Sequence, residues 1–257
     1  MRHLFSPEGE AALAATMRRQ PLLAFDFDGT LAPIVATPDD ARIPEPVARR
    51  LGRLAALAPV AIISGRDVDD LRPRLSFQPH YIIGNHGAED PSIAGPARSD
   101  VLACFRSRLG RHLEWLQAAG VTVEEKRESI ALHYRAARNR KEALEVVSYL
   151  VQGLPPDLRA FGGKLVMNIV SATAPDKAHA VATLVERSNT QSAMFVGDDV
   201  NDEPVFASAQ PSWLTVKVGS GDASSLAMYC LDDFDEVVGM LDRMLICLEA
   251  GIDSARP

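Results

Sequence analysis

Cysteine is scarce in this chain, which has only Cys104, Cys230 and Cys247 among 257 residues. An odd count with no metal-ligand spacing argues against a disulfide framework or a thiolate metal site. The three read as buried apolar residues in a reduced compartment. Long apolar runs are also missing, so a membrane span is not expected. Residues 1–20 are Ala-rich, with Arg18 and Arg19 following the apolar part. That is the reverse of a signal peptide, and a cytoplasmic location is expected. Positive charge is in deficit, with 27 Lys and Arg against 34 Asp and Glu for a net charge of −7. Such a surface is not built for nucleic acid or anionic membranes, so neither is an expected partner. Internal repeats and low-complexity tracts are absent. What remains is a soluble globular composition, 47% hydrophobic and 24% charged, sized for one large domain or two small ones.

The stretch around which the rest is organised runs from Leu22 to Leu31. Leu22-Leu23-Ala24-Phe25 is a short apolar run with no alternation, as expected for a strand buried on both faces of a parallel sheet. It leads into Asp26-Phe27-Asp28-Gly29-Thr30. Two further runs of this kind end in polar residues. Val60-Ala61-Ile62-Ile63 precedes Ser64-Gly65-Arg66, and Ala193-Met194-Phe195-Val196 precedes Gly197-Asp198-Asp199-Val200-Asn201-Asp202-Glu203. Helices are predicted over 7–19, 47–57, 67–75, 177–186, 204–209 and 235–249, and strands at Tyr81–Ile83 and Leu214–Val218. Between these core-type units lies a stretch of different texture. It begins after a Pro- and Gly-containing linker over 90–100. Val101–Ala119 reads as one amphipathic helix. Residues 121–126 and 129–135 read as an antiparallel hairpin, 141–153 as a helix, and 158–169 as containing one strand. The layout is α+β, and it predicts a domain over 97–171 inserted into a core of 1–96 and 172–257.

Carboxylates as close as Asp26 and Asp28 repel unless a cation sits between them. Mg2+ suits a set of oxygen ligands and leaves room for a phosphate. Asp198, Asp199, Asp202 and Glu203 repeat the arrangement at another strand end, where like charges raise one another's pKa. Ser64, at a strand end before a helix N-terminus, is a candidate phosphate contact. Lys177, opening a helix, is a candidate for the positive charge that a dianionic phosphate needs beside several carboxylates.

Taken in order, Asp26 to Thr30, Ser64, Lys177 and Gly197 to Asp202 resemble the four motifs of the haloacid dehalogenase superfamily of phosphotransferases. The resemblance implies an α/β fold with a Rossmann-like, doubly wound, mostly parallel sheet and an inserted α+β cap domain of the C2 type. It implies that Asp26 attacks phosphorus as nucleophile and that Asp28 is the general acid and base. Ser64 and Lys177 would hold the phosphoryl oxygens. Mg2+ would be bound by the carboxylates of Asp26 and Asp198 with the Asp28 main-chain carbonyl, and Asp199 and Asp202 would orient waters and neighbours.

Longer strings resemble the family of trehalose-6-phosphate phosphatases. They are Asp26 to Ile34, Gly84-Asn85-His86-Gly87-Ala88-Glu89, His133-Tyr134-Arg135, and Gly197 to Glu203. This narrower resemblance implies substrate contacts at Arg66, Asn85 and His86 in the core and at Glu124, Lys126, Arg135 and Lys164 in the cap. One position departs from the family pattern. Asn168 stands four residues after Lys164, where a Glu is usual, and no basic-Pro pair follows. An amide still bonds a hydroxyl, but without charge assistance, so Asn168 is a further candidate substrate contact. The expected substrate is a small-molecule sugar phosphate, trehalose 6-phosphate first, with sucrose phosphate or mannosyl-3-phosphoglycerate as alternatives. A non-catalytic sugar-phosphate sensor is the alternative of another class, which the intact Asp26 and Asp28 pair argues against. A monomer is expected.

Overall fold

The computed structural model describes residues 1–35, 37–93, 101–126 and 128–253. The chain forms two compact units, one from Met1–Pro91 and Pro175–Pro257, the other from Ser92–Ala174. The expected boundary between 96 and 97, and residues 94–100 of the expected linker, lie outside the described residues.

In the first unit the chain runs β1 (Arg2–His3), α1 (Pro7–Met17), β2 (Leu22–Phe25), α2 (Glu45–Ala55), β3 (Val60–Ile63), α3 (Val68–Leu71) and β4 (Tyr81–Ile83). The second unit holds α4 (Ala103–Arg111), α5 (Leu113–Ala118), β5 (Thr122–Glu125), β6 (Ser129–His133), α6 (Arg140–Val151), β7 (Leu158–Gly163) and β8 (Val166–Ser171). The chain returns to the first unit through α7 (Lys177–Arg187), β9 (Ala193–Gly197), α8 (Glu203–Ser208), β10 (Leu214–Val218), β11 (Tyr229–Leu231) and α9 (Val237–Asp253).

The first unit is a seven-stranded sheet in the order β1-β11-β10-β9-β2-β3-β4, parallel at each pairing. Every side chain of β2 is buried because both faces are covered. Leu23 and Phe25 join a cluster with Leu13 of α1, Leu51 of α2 and Leu241 of α9, while Leu22 and Ala24 join one with Val181 of α7 and Phe206 of α8. Full burial of a Leu or Phe side chain is worth about 1.5–3 kcal/mol, and it requires the unbroken apolar text of this strand. Strand order reverses between β2 and β9, one branch running out through β3 and the other through β10. The crevice beyond the carboxyl ends at such a switch point is where open α/β sheets bind ligands. Asp26 and Asp198 follow the two central strands there.

The second unit is a four-stranded antiparallel sheet, β5-β6-β8-β7, with α4, α5 and α6 packed over one face through Phe105, Leu116, Val147, Ile130 and Ile169. Here the structure corrects two expectations. The helix expected over Val101–Ala119 is two helices, broken at His112 (φ −118°, ψ 14°). The single strand expected within 158–169 is two strands joined by a tight turn at Lys164-Leu165, where Leu165 takes φ 62°. Among the described residues no helix is long and apolar enough to cross a membrane.

Candidate active site

β2 delivers Asp26 to the crevice, its backbone N–H bonded to Val196 O of β9 at 2.9 Å. The turn that follows depends on Gly29, whose φ is +85° and whose added Cβ would lie 2.1 Å from Asp198 Oδ2. No side chain fits between the first motif and the fourth. Thr30, buried beside them, donates Oγ1 to Asp198 Oδ1 at 3.3 Å. Oxygens of Asp26, Asp198 and Asp202 all lie within 4.8 Å of one another.

Lys177 enters this cluster from the N-terminus of α7, which Asp176 caps through His179 N–H. It is 1% exposed, and its Nζ stands 2.9 Å from Asp26 Oδ1 and donates to Asp202 Oδ1 at 2.7 Å. The other Asp202 oxygen accepts from the backbone N–H groups of Asp198 and Asp199, both at 2.9 Å. Asp202 is therefore a buttress that fixes the loop and the lysine. Asp199 caps the next turn through Val200 N–H at 2.8 Å.

Burial drives the Asp26 carboxyl well above its ordinary value; Lys177 opposes this, while Asp202 and Asp198 reinforce it. For Lys177, burial disfavours the charge, but Asp202 and Asp26 outweigh it and raise the ammonium above its usual range. Three buried carboxylates thus share one buried cation. An all-oxygen, charge-deficient cluster fits a hard divalent ion such as Mg2+.

On the other side of β2, the register Phe25↔Ile62 places Ser64 level with the first motif. Ser64 is buried, with Oγ accepting from Arg66 N–H at 3.2 Å. Arg66 engages Asp28 with two prongs, Nε to Oδ2 at 2.7 Å and Nη2 to Oδ1 at 2.8 Å, while Nη1 reaches Asp70 Oδ2 at 2.8 Å. Burial opposes the Arg66 charge, yet bonds to Asp28 and Asp70 hold it above its usual range.

The turn Asn85–Gly87 joins these parts. Asn85 N–H donates to Arg66 O at 2.8 Å and His86 N–H to Ser64 O at 2.9 Å. Gly87 backs onto α7, where an added Cβ would meet Asp176 O at 2.3 Å. Asn85 and His86 both adopt left-handed backbone (φ 48° and 58°), a strain that Asn tolerates better than His. The buried Asn85 amide donates to Glu89 Oε2 at 2.8 Å, so this side chain takes part in holding the turn.

The cap candidates gather on the second unit's sheet. The cross-strand row Glu124↔Ala131↔Asn168↔Phe161 puts Glu124 and Asn168 on one face. Glu124 Oε2 lies 2.7 Å from His133 Nε2 and 3.6 Å from Lys126 Nζ. The bond from His133, reinforced by Lys126, holds the Glu124 carboxyl below its ordinary value despite partial burial. Arg135 Nη2 reaches Lys164 O at 3.5 Å. Asn168 is 2% exposed, and its Nδ2 has no partner among the described residues.

Several site-building residues escaped the sequence reading. Thr30 was legible as part of the first motif but had no assigned partner. Asp70 and Arg74 stand four and eight residues after Arg66, a helical charge alternation that was available as a signal. His133 carries no signal of its own beyond the string His133-Tyr134-Arg135.

The parallel sheet with its switch-point carboxylates and antiparallel insertion is the haloacid dehalogenase (HAD) phosphatase fold. A HAD-superfamily phosphatase of Bacteroides thetaiotaomicron superposes with a TM-score of 0.59 at 15% identity, covering 88% of this chain and 96% of that one. The C-terminal domain of C. albicans trehalose-6-phosphate phosphatase superposes with a TM-score of 0.77 at 20% identity, covering 92% and 96%. At these identities the likeness is one of fold. The family model described as Trehalose-phosphatase matches residues 24–233, and the chain belongs to that family. Among its relatives, a trehalose-phosphate phosphatase of Mycobacterium ulcerans is 31% identical over 246 residues, covering 88% of this chain and 61% of the relative. One of Mycobacterium avium is 31% identical over 252 residues, covering 91% and 64%. The chain thus spans just under two thirds of the length of these relatives.

Proposed function

We propose that this chain is a metal-dependent phosphatase that releases trehalose and phosphate from trehalose 6-phosphate. The observation that carries the reading is the Asp26 carboxylate at the carboxyl end of β2, 2.9 Å from a buried lysine and grouped with Asp198 and Asp202. Family membership and the names of the mycobacterial relatives support the choice of ester.

Asp26 forms the bond to phosphorus and carries the phosphoryl group as an aspartyl phosphate. Lys177 pairs with Asp26, opposing the upward push of burial on its carboxyl, and meets the charge that spreads over the phosphoryl oxygens. The Ser64 hydroxyl binds one of those oxygens. Asp28 gives a proton to the departing sugar oxygen, then takes one from the water that hydrolyses the intermediate. Asp26, Asp198 and the Asp28 main-chain carbonyl would hold Mg2+, with Asp199 and Asp202 behind them. When bound, the ion neutralises carboxylate and phosphoryl charge and so lets both approach. In the cap, Glu124, Lys126, Arg135, Lys164 and Asn168 contact sugar hydroxyls.

The test is phosphate release from trehalose 6-phosphate, sucrose phosphate and mannosyl-3-phosphoglycerate, with and without EDTA. Preference for trehalose 6-phosphate and loss with EDTA are expected. Preference for another ester overturns the substrate, and unchanged turnover by Asp26→Asn overturns the nucleophile.

A further inference from the structure

A line of alternating charges in the first unit ends on Asp28. Beyond Arg66, which grips both Asp28 oxygens, Asp70 accepts from Arg66 through Oδ2 and from Arg74 through Oδ1. Arg74 continues to Asp39, donating Nη1 to its main-chain oxygen at 2.8 Å and Nη2 to its carboxylate at 3.1 Å. The Phe27 ring lies 5.5 Å from the Arg66 guanidinium and closes another side. Five side chains of alternating charge type, Asp28, Arg66, Asp70, Arg74 and Asp39, therefore lock in series.

An isolated exposed ion pair is worth little; in this series the far end, Asp39, is exposed, but both arginines are shielded. The Arg66 side chain is 11% exposed and Arg74 only 6%. A guanidinium on a flexible stem has many rotamers, and its pull on a carboxylate is directional only when the guanidinium is itself held. Asp70 supplies that third point of attachment. Two prongs still leave each Asp28 oxygen a second lone pair, and the Asp28 side chain keeps 36% of its surface open. It can be held and still exchange a proton.

We propose that Asp70, backed by Arg74, is a positioning residue for the acid–base step: through Arg66 it fixes the Asp28 carboxylate in the orientation that meets the leaving oxygen. The proposal rests on the reading of Asp28 as general acid and base. Its signature is dependence on the leaving group. A sugar alkoxide needs a proton as it departs, whereas p-nitrophenolate does not. Asp70→Asn is assayed with trehalose 6-phosphate and with p-nitrophenyl phosphate, acetyl phosphate serving where the aryl ester is not turned over. The expected result is a fall in kcat/KM of about tenfold or more on the sugar ester, with kcat/KM for the activated ester within about twofold. This ratio reports departure of the leaving group and not the hydrolysis of the aspartyl phosphate common to both. Asp70→Glu, which keeps the charge, recovers part of the loss. Equal loss on both esters, or none on either, overturns the proposal. Should Asp70→Asn fail to fold by thermal melt, Arg74→Lys carries the same comparison with a smaller selective loss expected. Asp28→Asn separates the two readings. If it lowers kcat/KM for both esters alike, the assignment of Asp28 as the acid fails; if its loss of kcat/KM is selective and that of Asp70→Asn is not, only the role of Asp70 fails.

Discussion

The two units handle charge in opposite ways. The first carries 15 Lys and Arg against 26 Asp and Glu, the second 12 against 8. In the first, ions are buried: Lys177 on Asp26 and Asp202, Arg74 on Asp70, Lys217 on Glu203. In the second, Glu124 and Lys164 are exposed, Lys126 lies against Glu124 with its side chain 11% exposed, and the fully buried polar side chains, Ser129 and Asn168, are neutral. A buried charge survives only with a partner held in place, which suits chemistry at a fixed point. An exposed charge tolerates movement, which suits contacts to a ring of hydroxyls. The contrast predicts that first-unit substitutions cost turnover and stability together, while second-unit substitutions alter substrate affinity and leave the fold intact.

Lys177→Met gives the largest effect. Turnover drops about 10²–10³-fold, the usual cost of one electrostatic contact to a transition state. Stability to urea at neutral pH falls by roughly 3 kcal/mol, because Asp26 and Asp202 lose their buried partner. Added Mg2+ raises Tm more in the variant than in the parent, and EDTA removes the gain. A variant as stable as the parent would show that the carboxylates are not ionised together.

Glycine provides a matched pair. Gly29→Ala forces a Cβ to within 2.1 Å of Asp198 Oδ2 at φ +85°, so a loss of about 2 kcal/mol is expected together with most activity. Gly162→Ala in β7 has nothing within 4 Å of the new methyl. Its stability should stay within about 0.5 kcal/mol and its kcat should not change. Similar urea midpoints for the two variants would erase the contrast.

Asn168→Leu sharpens the contrast from the cap side. Its Nδ2 has no partner among the described residues, so exchanging the amide for an apolar group of similar size costs no more than about 1 kcal/mol. The proposed sugar contact is lost all the same, and KM for the sugar ester rises about threefold to tenfold, the worth of one neutral hydrogen bond. A marked fall in Tm with no change in KM would make Asn168 a purely structural residue.

The same division explains what the amino-acid text disclosed. Strands covered on both faces write themselves as solid apolar runs, so β2, β3 and β9 were legible, and so were the polar residues at their ends, while β10 showed as the alternation Leu214-Thr215-Val216-Lys217-Val218. β1 at the edge of the sheet and β11 beside it, two and three residues long, are too short to carry a period. The turn between β7 and β8 was hidden because Leu165 occupies a left-handed position where turn rules expect Gly or Asn. Arg66 was expected to contact substrate. Its grip on Asp28, 38 residues away, is written in no local pattern, since only strand order brings the two together.

The smallest effect tests whether depth, rather than membership of the first unit, sets the cost of a charge. Arg50 and Asp242 join α2 to α9 by two bonds, 2.7 Å and 2.9 Å long, at the surface of that unit. The bond from Arg50 holds the Asp242 carboxyl below its ordinary 3.8, against slight desolvation. A carboxyl lowered in the folded state contributes stability that is complete above 3.8 and lost as the pH falls through the folded value. Asp242→Asn should therefore cost about 0.5 kcal/mol at neutral pH, with the gap to the parent closing on acidification and shrinking in high salt. Turnover should be untouched. A gap that persists in acid would mean that the pair acts through packing between the helices, and a cost as large as that of Lys177→Met would mean that burial is not what divides the two kinds of charge.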